Sequence, residues 1–286
     1  MIKITPDELK LIINYIKNLS GITLDESKAY LIESKLGPLA EELGCKSYSE
    51  LNFKALSDSG NQISNLIIDA ITNKETFFFR DKAPFELLKY KLLPDHIRRC
   101  YNPSSPLPCS LNIWSAACAT GQEVYSIAMV VKEILPDLDK WRIKILGTDI
   151  SDAAIAQSNH GRYTQLDIEK GVPPDKVSRF FNPDGNFWRI KDEIRAMVSF
   201  KKFNLMHLFA NLGKFDIIFC RNVAIYFSPE DRESLFNRIA DQLNPKGILI
   251  LGSTESLYCD SNRFQRLKDN NTVYYRVLDS TPNSKL

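Results

Sequence analysis

Apolar residues near the start of the chain recur every three or four positions, at Leu9, Ile12, Ile13 and Ile16. This spacing places them on one face of a helix. The preceding segment Thr5-Pro6-Asp7-Glu8 supplies a capping threonine, a proline for the first turn and acidic side chains in that turn, and these residue types favour helix starts. The pattern therefore predicts a first helix that begins near Pro6.

The same spacing indicates further helices before residue 80. They are expected over 26–43, from about Ser47, and over about 60–72. Gly37-Pro38 falls in the middle of the first of these, and a proline inside a helix removes a backbone hydrogen bond, so a kink or break is expected there. The stretch has no alternating strand pattern. Residues 1–80 are therefore predicted to form a small all-helical domain, followed by a linker over 81–107.

From about residue 108 the pattern changes to short apolar strands that alternate with helices. The expected strands are Leu111–Ala117, Ile143–Leu146, Phe215–Cys220 and Gly247–Leu251. The expected helices are 121–135, Ser151–Ser158 and Pro229–Leu243. A hairpin is expected over Phe264–Val277, and weak alternation suggests a small antiparallel insertion near 187–203. This order predicts an α/β fold with a doubly wound, mostly parallel sheet over 108–286, and such sheets bind ligands where their strands end.

Charge and composition exclude some classes of partner and ligand but do not identify the function. The 37 basic and 35 acidic side chains give a net charge of +2, which is too even to indicate a nucleic-acid partner. No apolar run approaches the roughly 20 residues that a membrane span needs, and the N-terminus lacks the apolar core of a signal peptide. The six cysteines and three histidines are not spaced like metal ligands, so no metal is expected. These features predict a cytoplasmic protein without membrane insertion.

The turn after the first strand of the sheet is built from small residues, Ser115-Ala116-Ala117-Cys118-Ala119-Thr120-Gly121. Small side chains let a ligand lie against the backbone at the start of the next helix, but they also occur where a helix simply packs close to a sheet. The turn lacks the GxGxxG pattern, which argues against a dinucleotide such as NAD.

The second strand ends in Gly147-Thr148-Asp149. An acid at this position can accept hydrogen bonds from ribose hydroxyls, although it can also be a helix cap or a solvated loop residue. Taken together, the small-residue turn and Asp149 favour a ligand that contains a nucleoside.

The segment 75–81 combines three aromatic residues with charged side chains. In Glu75-Thr76-Phe77-Phe78-Phe79-Arg80-Asp81, three consecutive aromatic residues cannot share one helical face, so at least one is expected at an interface or a ligand. Arg80 beside them could bind an anion, or it could be a solvated arginine next to an aromatic seam between domains.

The strand Phe215–Cys220 ends in Arg221-Asn222, followed shortly by Tyr226, at the edge of the sheet where a ligand is expected.

Several segments, in order along the chain, resemble one known family. They are ETFFFRD, WSAACATGQEVYSIA, LGTDIS, FDIIFCRNVAIYF and LILGSTESL. Together they resemble the chemotaxis receptor glutamate methyltransferases (CheR), and the resemblance extends from about residue 7 to 278. It implies a class I S-adenosylmethionine methyltransferase sheet with a helical N-terminal domain. It also implies S-adenosylmethionine as the cofactor and a chemoreceptor cytoplasmic domain as the partner whose glutamate side chains are esterified.

The resemblance also implies roles for individual residues. The cofactor would be contacted by Thr76, Arg80, Glu123, Asp149, Asn204, Leu205, Arg221 and Asn222. Arg80 and Tyr226 would lie closest to the transferred methyl group, and they are the expected catalytic residues. Because a glutamate carboxylate is already ionised at pH 7, their expected contribution is orientation of the reactants.

Two departures from the family pattern concern the cofactor site and the receptor-binding face. Lys74 stands two positions before Thr76, where many relatives have asparagine or glycine. Residues 1–85 carry 10 basic and 12 acidic side chains, a net charge of −2, so a face that binds an acidic receptor would depend on local patches such as Lys28 and Lys35. Two other functions stay open at this stage: a methyltransferase with a different acceptor, and a non-catalytic module that binds S-adenosylmethionine and signals to a partner.

Overall fold

The N-terminal part of the chain is an all-helical domain in the computed structural model, which describes residues 2–100, 108–135, 137–257, 262–270 and 272–278. Its α-helices are α1 (Pro6–Ser20), α2 (Ala29–Glu42), α3 (Tyr48–Ser57) and α4 (Gln62–Ile71). The Thr5 hydroxyl accepts a hydrogen bond from the backbone N–H of Glu8, and the Glu8 carboxylate accepts one from the backbone N–H of Thr5. This reciprocal cap confirms the predicted helix start. Buried apolar residues from the helices form the core of this domain, among them Ile12, Ile32, Leu51 and Ile67.

The second helix differs from its prediction. A short 3₁₀ turn over Glu26–Lys28 precedes α2, and Pro38 lies inside α2. A kink or break was expected at Gly37-Pro38, and the helix is unbroken there. Leu36 and Leu39 on either side of Pro38 are buried, and their packing offsets the one backbone hydrogen bond that Pro38 cannot donate.

The segment predicted as a linker is largely helical. It contains α5 (Ala83–Leu87), a π-helical turn over Leu88–Leu92, and α6 (Leu93–Cys100). Phe85, Leu88 and Leu93 are buried in the same core as the residues of the sheet. Because these side chains pack on the sheet domain, residues 83–100 form part of that domain; positions 101–107 of the predicted linker lie outside the described residues.

The second part of the chain alternates strands and helices. In chain order the strands are β1 (Cys109–Ala116), β2 (Trp141–Asp149), β3 (Arg162–Thr164), β4 (Phe181–Asp184), β5 (Phe187–Ile190), β6 (Val198–Lys202), β7 (Phe215–Cys220), β8 (Leu243–Leu251), β9 (Phe264–Asp269) and β10 (Thr272–Val277). The helices are α7 (Gln122–Ile134), α8 (Asp152–His160), α9 (Gln165–Glu169), α10 (Pro174–Phe180), α11 (Asp192–Arg195) and α12 (Pro229–Gln242). No helix in the described ranges is both long and apolar enough to cross a membrane.

The main sheet has seven strands in the order β6-β2-β1-β7-β8-β10-β9. Pairing is parallel from β6 through β8, while β10 pairs antiparallel with both β8 and β9. The predicted doubly wound, mostly parallel α/β sheet is therefore confirmed, as is the hairpin at its end. Alternate residues of the central strands face opposite sides: Ile113 belongs to one buried cluster and Trp114 to the other.

The antiparallel insertion lies earlier in the chain than predicted. A three-stranded sheet in the order β3-β5-β4 covers parts of residues 162–190. The expected range 187–203 includes β5, but β6 at its end pairs parallel with β2 at the edge of the main sheet. An edge strand and an insertion strand show the same half-buried alternation, so the pattern alone does not distinguish them.

The strand order places a binding crevice at the carboxyl end of β1. The chain leaves β1 toward β2 on one side and later returns to β7 on the other side. Ligands in open α/β sheets bind at such a reversal of strand order. A site is therefore expected at the ends of β1, β2 and β7.

Candidate active site

A cleft of about 420 Å³ lies between the helical domain and the carboxyl ends of β1, β2 and β7. Its walls include every residue that the sequence predicted for the site: Thr76, Arg80, Glu123, Asp149, Asn204, Leu205, Arg221, Asn222 and Tyr226. The helical domain contributes Ser20, Ile22, Leu24, Leu31, Lys35 and Ile71. The fold thus brings residues from three separate parts of the chain around one space, and its volume falls within the range of about 300–1,000 Å³ typical of small-molecule sites.

The turn after β1 forms one wall of the cleft, and its small side chains leave the main chain accessible. Ala117 and Ala119 have positive φ angles of 57° and 48°, and Gly121 has φ of 93°. A Cβ atom added at Gly121 would lie 2.9 Å from the Ser158 side chain, so glycine is required where the turn meets α8. The two alanines present only methyl groups to the cleft, which lets a ligand approach the main chain.

Asp149 ends β2 and is buried, with 9% of its surface exposed. Its Oδ1 accepts from the backbone N–H of Ser151 and its Oδ2 from the backbone N–H of Ala119, both at 2.9 Å. Burial raises the pKa of Asp149, and these two hydrogen bonds act in the opposite direction. A carboxylate has about four acceptor positions. Two therefore remain for hydroxyl groups of a ligand in the cleft.

Arg221 is buried and joins three parts of the chain. One terminal nitrogen donates to Glu123 Oε2 at 2.6 Å, and the other donates to Asp81 Oδ2 at 2.7 Å and to the backbone oxygen of Arg80 at 3.0 Å. The Arg221 side chain is 1% exposed. Its charge is thus offset by two carboxylates, and its hydrogen bonds hold the segment before α5 against the sheet.

Glu123 completes this network at the start of α7. Its Oε1 accepts from the Ser115 hydroxyl at 2.8 Å, while Oε2 accepts from Arg221. The side chain keeps further acceptor positions, because each carboxylate oxygen carries two lone pairs. Glu123 is therefore placed to accept from a cationic group of a ligand as well as to anchor Arg221.

Arg80 has a different environment from Arg221. It donates to the backbone oxygen of Glu75 at 3.0 Å, and its guanidinium lies 5.7 Å from the centre of the Phe77 ring. Within the described parts of the chain it has no carboxylate partner. Phe78 and Phe79 are buried in the core of the sheet domain and not in a seam between domains, and Arg80 lines the cleft. Arg80 is consequently a cleft cation whose charge is available to an anion.

The turn at Asn222, a few residues before Tyr226, is held by a carboxylate that the sequence analysis did not single out. Asn222 adopts the left-handed conformation, with φ of 57°. Glu255 holds this turn, because its carboxylate accepts from the backbone N–H groups of Asn222 (2.6 Å), Val223 (3.1 Å) and Gly252 (2.9 Å). The Tyr226 hydroxyl accepts from the Asn73 side chain at 3.4 Å. The segment LILGSTESL contained the signal for Glu255, namely an acid just after the end of a buried strand.

Asn204 and Leu205 connect the cleft to the helical domain. The Asn204 amide donates to the backbone oxygen of Leu19 at 2.9 Å, and its oxygen accepts from the backbone N–H of Met206. Leu205 is buried in the cluster on one face of the sheet. The Asn204 side chain is thus engaged within the protein, so a ligand would meet this segment chiefly through Leu205 and the backbone.

The donor and acceptor set of the cleft fits an adenosyl amino acid. Asp149 can accept from ribose hydroxyls, Glu123 from an ammonium group, and Arg80 can donate to a carboxylate, while the alanines of the first turn leave room for the ligand. Among the described residues, no group of three or more histidine, cysteine or acidic side chains is arranged to hold a metal ion.

Comparison with known proteins agrees with this arrangement. The family model described as "CheR methyltransferase, SAM binding domain" matches residues 74–273, and the model "CheR methyltransferase, all-alpha domain" matches residues 7–72. A chemotaxis protein methyltransferase of Pseudomonas putida is 38% identical over 268 residues, covering 92% of this chain and 95% of that protein. One of Vibrio parahaemolyticus is 36% identical over 284 residues, covering 96% and 98%.

Solved structures show only a distant likeness. The magnesium protoporphyrin IX methyltransferase of Synechocystis, solved with bound S-adenosylmethionine, is 15% identical with a TM-score of 0.37, covering 79% of this chain and 92% of that one.

Proposed function

The chain belongs to the CheR methyltransferase family, and from this membership we propose that it transfers methyl groups from S-adenosylmethionine to glutamate side chains of a chemoreceptor cytoplasmic domain. The products are glutamyl methyl esters and S-adenosylhomocysteine. The observation that carries the proposal is one cleft, between a helical domain and the switch point of the sheet, that gathers an acid for ribose, an arginine for a carboxylate and a tyrosine.

In this proposal each end of the cofactor meets a different part of the cleft. Asp149 accepts hydrogen bonds from the ribose hydroxyls, and Glu123 and Arg80 face the amino and carboxylate groups of the methionine part. Thr76, Leu205 and Asn222 complete the walls around it. When bound, S-adenosylmethionine supplies an electrophilic methyl group on a positively charged sulfur.

The protein itself needs no general base for this reaction. The pKa of a glutamate side chain is near 4.3 in ordinary peptides, so the acceptor is already a carboxylate at neutral pH. Orientation of the reactants can supply about 7–11 kcal/mol of the barrier reduction. We assign this orientation to two side chains. The Tyr226 hydroxyl donates to the attacking carboxylate, and Arg80 pairs with the carboxylate of the cofactor's methionine part.

The charges around the cleft support this division of roles. Two acids offset the charge of Arg221, so its contribution is to shape the site. Arg80 lacks such a partner among the described residues and can serve a carboxylate. Because transfer unites a cationic sulfonium with an anionic carboxylate, further fixed charge at the reacting centre would give little benefit, and a neutral hydroxyl such as that of Tyr226 suits the position.

The proposal places the reaction in the cytoplasm, where the cofactor and the signalling domain of a receptor meet. It is tested by incubating the full chain with S-adenosylmethionine labelled in the methyl group and with receptor cytoplasmic domains, then treating the products with alkali. Carboxyl methyl esters release labelled methanol under these conditions. A receptor domain with glutamine at the methylated positions is the matched control and should remain unlabelled.

The outcomes of this experiment distinguish the possible methyl acceptors and separate a catalyst from a binding module. Base-labile label on the receptor supports the proposal. Base-stable label would move the acceptor to nitrogen or to an ordinary hydroxyl and refute glutamate esterification. Tight cofactor binding without transfer to any receptor domain would refute receptor methylation and favour a non-catalytic module.

A further inference from the structure

We propose that Cys100 and Cys109 form a reversible disulfide site of this chain, which low-molecular-weight disulfides oxidise. The site lies at the amino end of β1, whereas the candidate active site lies at the carboxyl end of that strand. A strand rises about 3.3 Å per residue, so the eight residues of β1 separate the two sites by roughly 23 Å. The inference therefore does not depend on the proposed function.

The two cysteines are in contact in the reduced protein. Cys100 is the last residue of α6, and Cys109 is the first residue of β1. The Cys109 thiol donates to the backbone oxygen of Cys100 at 2.6 Å, and a hydrogen bond also links the two side chains. The Cys109 sulfur thus lies within about 5 Å of the Cys100 Cα, which is compatible with disulfide geometry.

Other contacts hold α6 against β1 beside this pair. His96 lies one helical turn before Cys100 and is buried, and its Nε2 is 2.8 Å from the backbone oxygen of Ser110, the residue after Cys109. Leu93, at the start of the same helix, is buried in the core of the sheet domain. Because the two elements are fixed independently of the thiols, forming the bond requires little movement of either one.

Exposure distinguishes this pair from the other described cysteines. Cys45, Cys118 and Cys220 are buried, whereas Cys100 is exposed and Cys109 is half-buried. A dissolved oxidant can therefore reach Cys100, while packing shields the three buried thiols. Within the described ranges, the pair is thus the favoured place for thiol oxidation.

Two exchange steps give the bond when oxidised glutathione is the oxidant. A thiolate of the pair attacks one sulfur of oxidised glutathione, which forms a mixed disulfide and releases one glutathione thiolate. The second cysteine thiolate then attacks the protein sulfur of the mixed disulfide and releases the other glutathione. Both protein thiols lose their protons, and the two electrons that they give up reduce the disulfide of the oxidant.

The environment of Cys100 determines how the reaction depends on pH. Partial burial of the thiol, the hydrogen bond from Cys109 and the Asp216 carboxylate raise the pKa of Cys100 to about 12, while Arg99 acts in the opposite direction. Each cysteine must attack as a thiolate in one of the two steps. Bond formation should therefore be slow at neutral pH and should accelerate as the pH increases.

The test treats the full chain with oxidised glutathione at mildly alkaline pH and maps the linked peptides by mass spectrometry. We expect one Cys100–Cys109 linkage, the loss of two free thiols and complete reversal by dithiothreitol. The bond closes a ring of ten residues, so it should raise Tm by about 3–6 °C. The dissociation constant of S-adenosylhomocysteine should stay within about twofold, because the cleft is distant from the bond.

Substitutions identify the thiols involved. Cys100→Ser and Cys109→Ser should each abolish the linkage and the increase in Tm, and a serine at position 109 can still donate to the end of α6. Cys259→Ser is the matched control, because it removes a thiol that lies outside the described residues, and it should keep both effects.

Three results would overturn the inference. The first is a product that carries only mixed disulfides with glutathione at Cys100 or Cys109. The second is a linkage from either of them to Cys259. The third is a Cys100–Cys109 linkage that forms only after the protein has been unfolded in urea, since the folded structure would then not have brought the two thiols together.

Discussion

Replacing Asp149 by asparagine removes one negative charge from the cleft while nearly preserving the size of the side chain. In the structure, Oδ1 and Oδ2 of Asp149 each hold one backbone N–H group, from Ser151 and Ala119. The remaining acceptor positions are the ones that we assign to the ribose hydroxyls. Asparagine has a single carbonyl oxygen and carries no charge, so it can replace only part of this set.

The expected decrease in affinity follows from these bonds. A hydrogen bond to a charged group contributes about 1.5–3 kcal/mol. The substitution removes one hydrogen bond to the ribose and leaves the other without charge assistance. We therefore expect Asp149→Asn to weaken S-adenosylhomocysteine binding by about 2–3 kcal/mol, or roughly 30- to 150-fold. Asp149→Ala should weaken it at least as much, because it also leaves the N–H groups of Ser151 and Ala119 without acceptors.

Calorimetric titration at fixed salt measures the effect directly. Asp152→Asn is the matched control, since Asp152 is a nearby acid in the first turn of α8 that bonds to Lys202 and does not line the cleft. It should change the dissociation constant less than about twofold. If Asp149→Asn binds S-adenosylhomocysteine as tightly as the control does, Asp149 is not a ribose ligand.

The pH dependence of binding provides an independent check on the same residue. Burial raises the pKa of Asp149 above its ordinary value of 3.8. The ionised form is the one that binds ribose in our proposal, so affinity should be full well above this raised pKa and should fall as the pH decreases through it. Titrations repeated at decreasing pH should show this fall in the unchanged protein and a much weaker one in Asp149→Asn. Parallel pH profiles would contradict the assignment.

Three further predictions concern the other charged and polar groups. Tyr226→Phe should leave cofactor affinity nearly constant and lower turnover about tenfold to a hundredfold, whereas Arg80→Ala should reduce both; full turnover with weakened binding in Tyr226→Phe would reverse these roles. S-adenosylhomocysteine should bind at least as tightly as S-adenosylmethionine, because the positive charge of Arg80, which no described carboxylate offsets, disfavours the positively charged sulfur of S-adenosylmethionine. A titration that clearly favours S-adenosylmethionine would place Arg80 elsewhere. Arg221→Met should lower the free energy of unfolding in urea by about 3–5 kcal/mol, since it leaves Glu123 and Asp81 without their cation, and a decrease below about 1 kcal/mol would refute the buried network.

The elements of the fold follow largely from local patterns in the sequence. The cap at Thr5, the apolar spacing of α1 and the alternation of strands with helices after residue 108 all act between neighbouring residues, and they predicted the helical domain and the parallel sheet. Where the predictions failed, longer-range packing decided the outcome. Buried neighbours keep Pro38 inside α2, and pairing with β2 draws β6 into the main sheet.

The location of the candidate site could also be predicted, because the ends of parallel strands share one edge of a sheet. Asp149 ends one strand and Arg221 directly follows another, and the segment around Arg80 carried a recognisable motif. All of the residues indicated by the strand ends and by the family resemblance line the cleft, and their roles toward a cofactor stay predictions.

The tertiary structure decided what each charge in the cleft is paired with. Arg221 and Arg80 look alike in the sequence, yet Arg221 is neutralised by Asp81 and Glu123, 140 and 98 residues away, while Arg80 has no described carboxylate partner. The Glu255 carboxylate accepts a hydrogen bond from the backbone N–H of Asn222, which lies 33 residues earlier in the chain. Such pairings depend on distances created only when separate elements pack, because electrostatic and hydrogen-bond energies fall steeply with separation. Local patterns determine which elements form, and the packing of those elements determines which side chains remain available to a ligand.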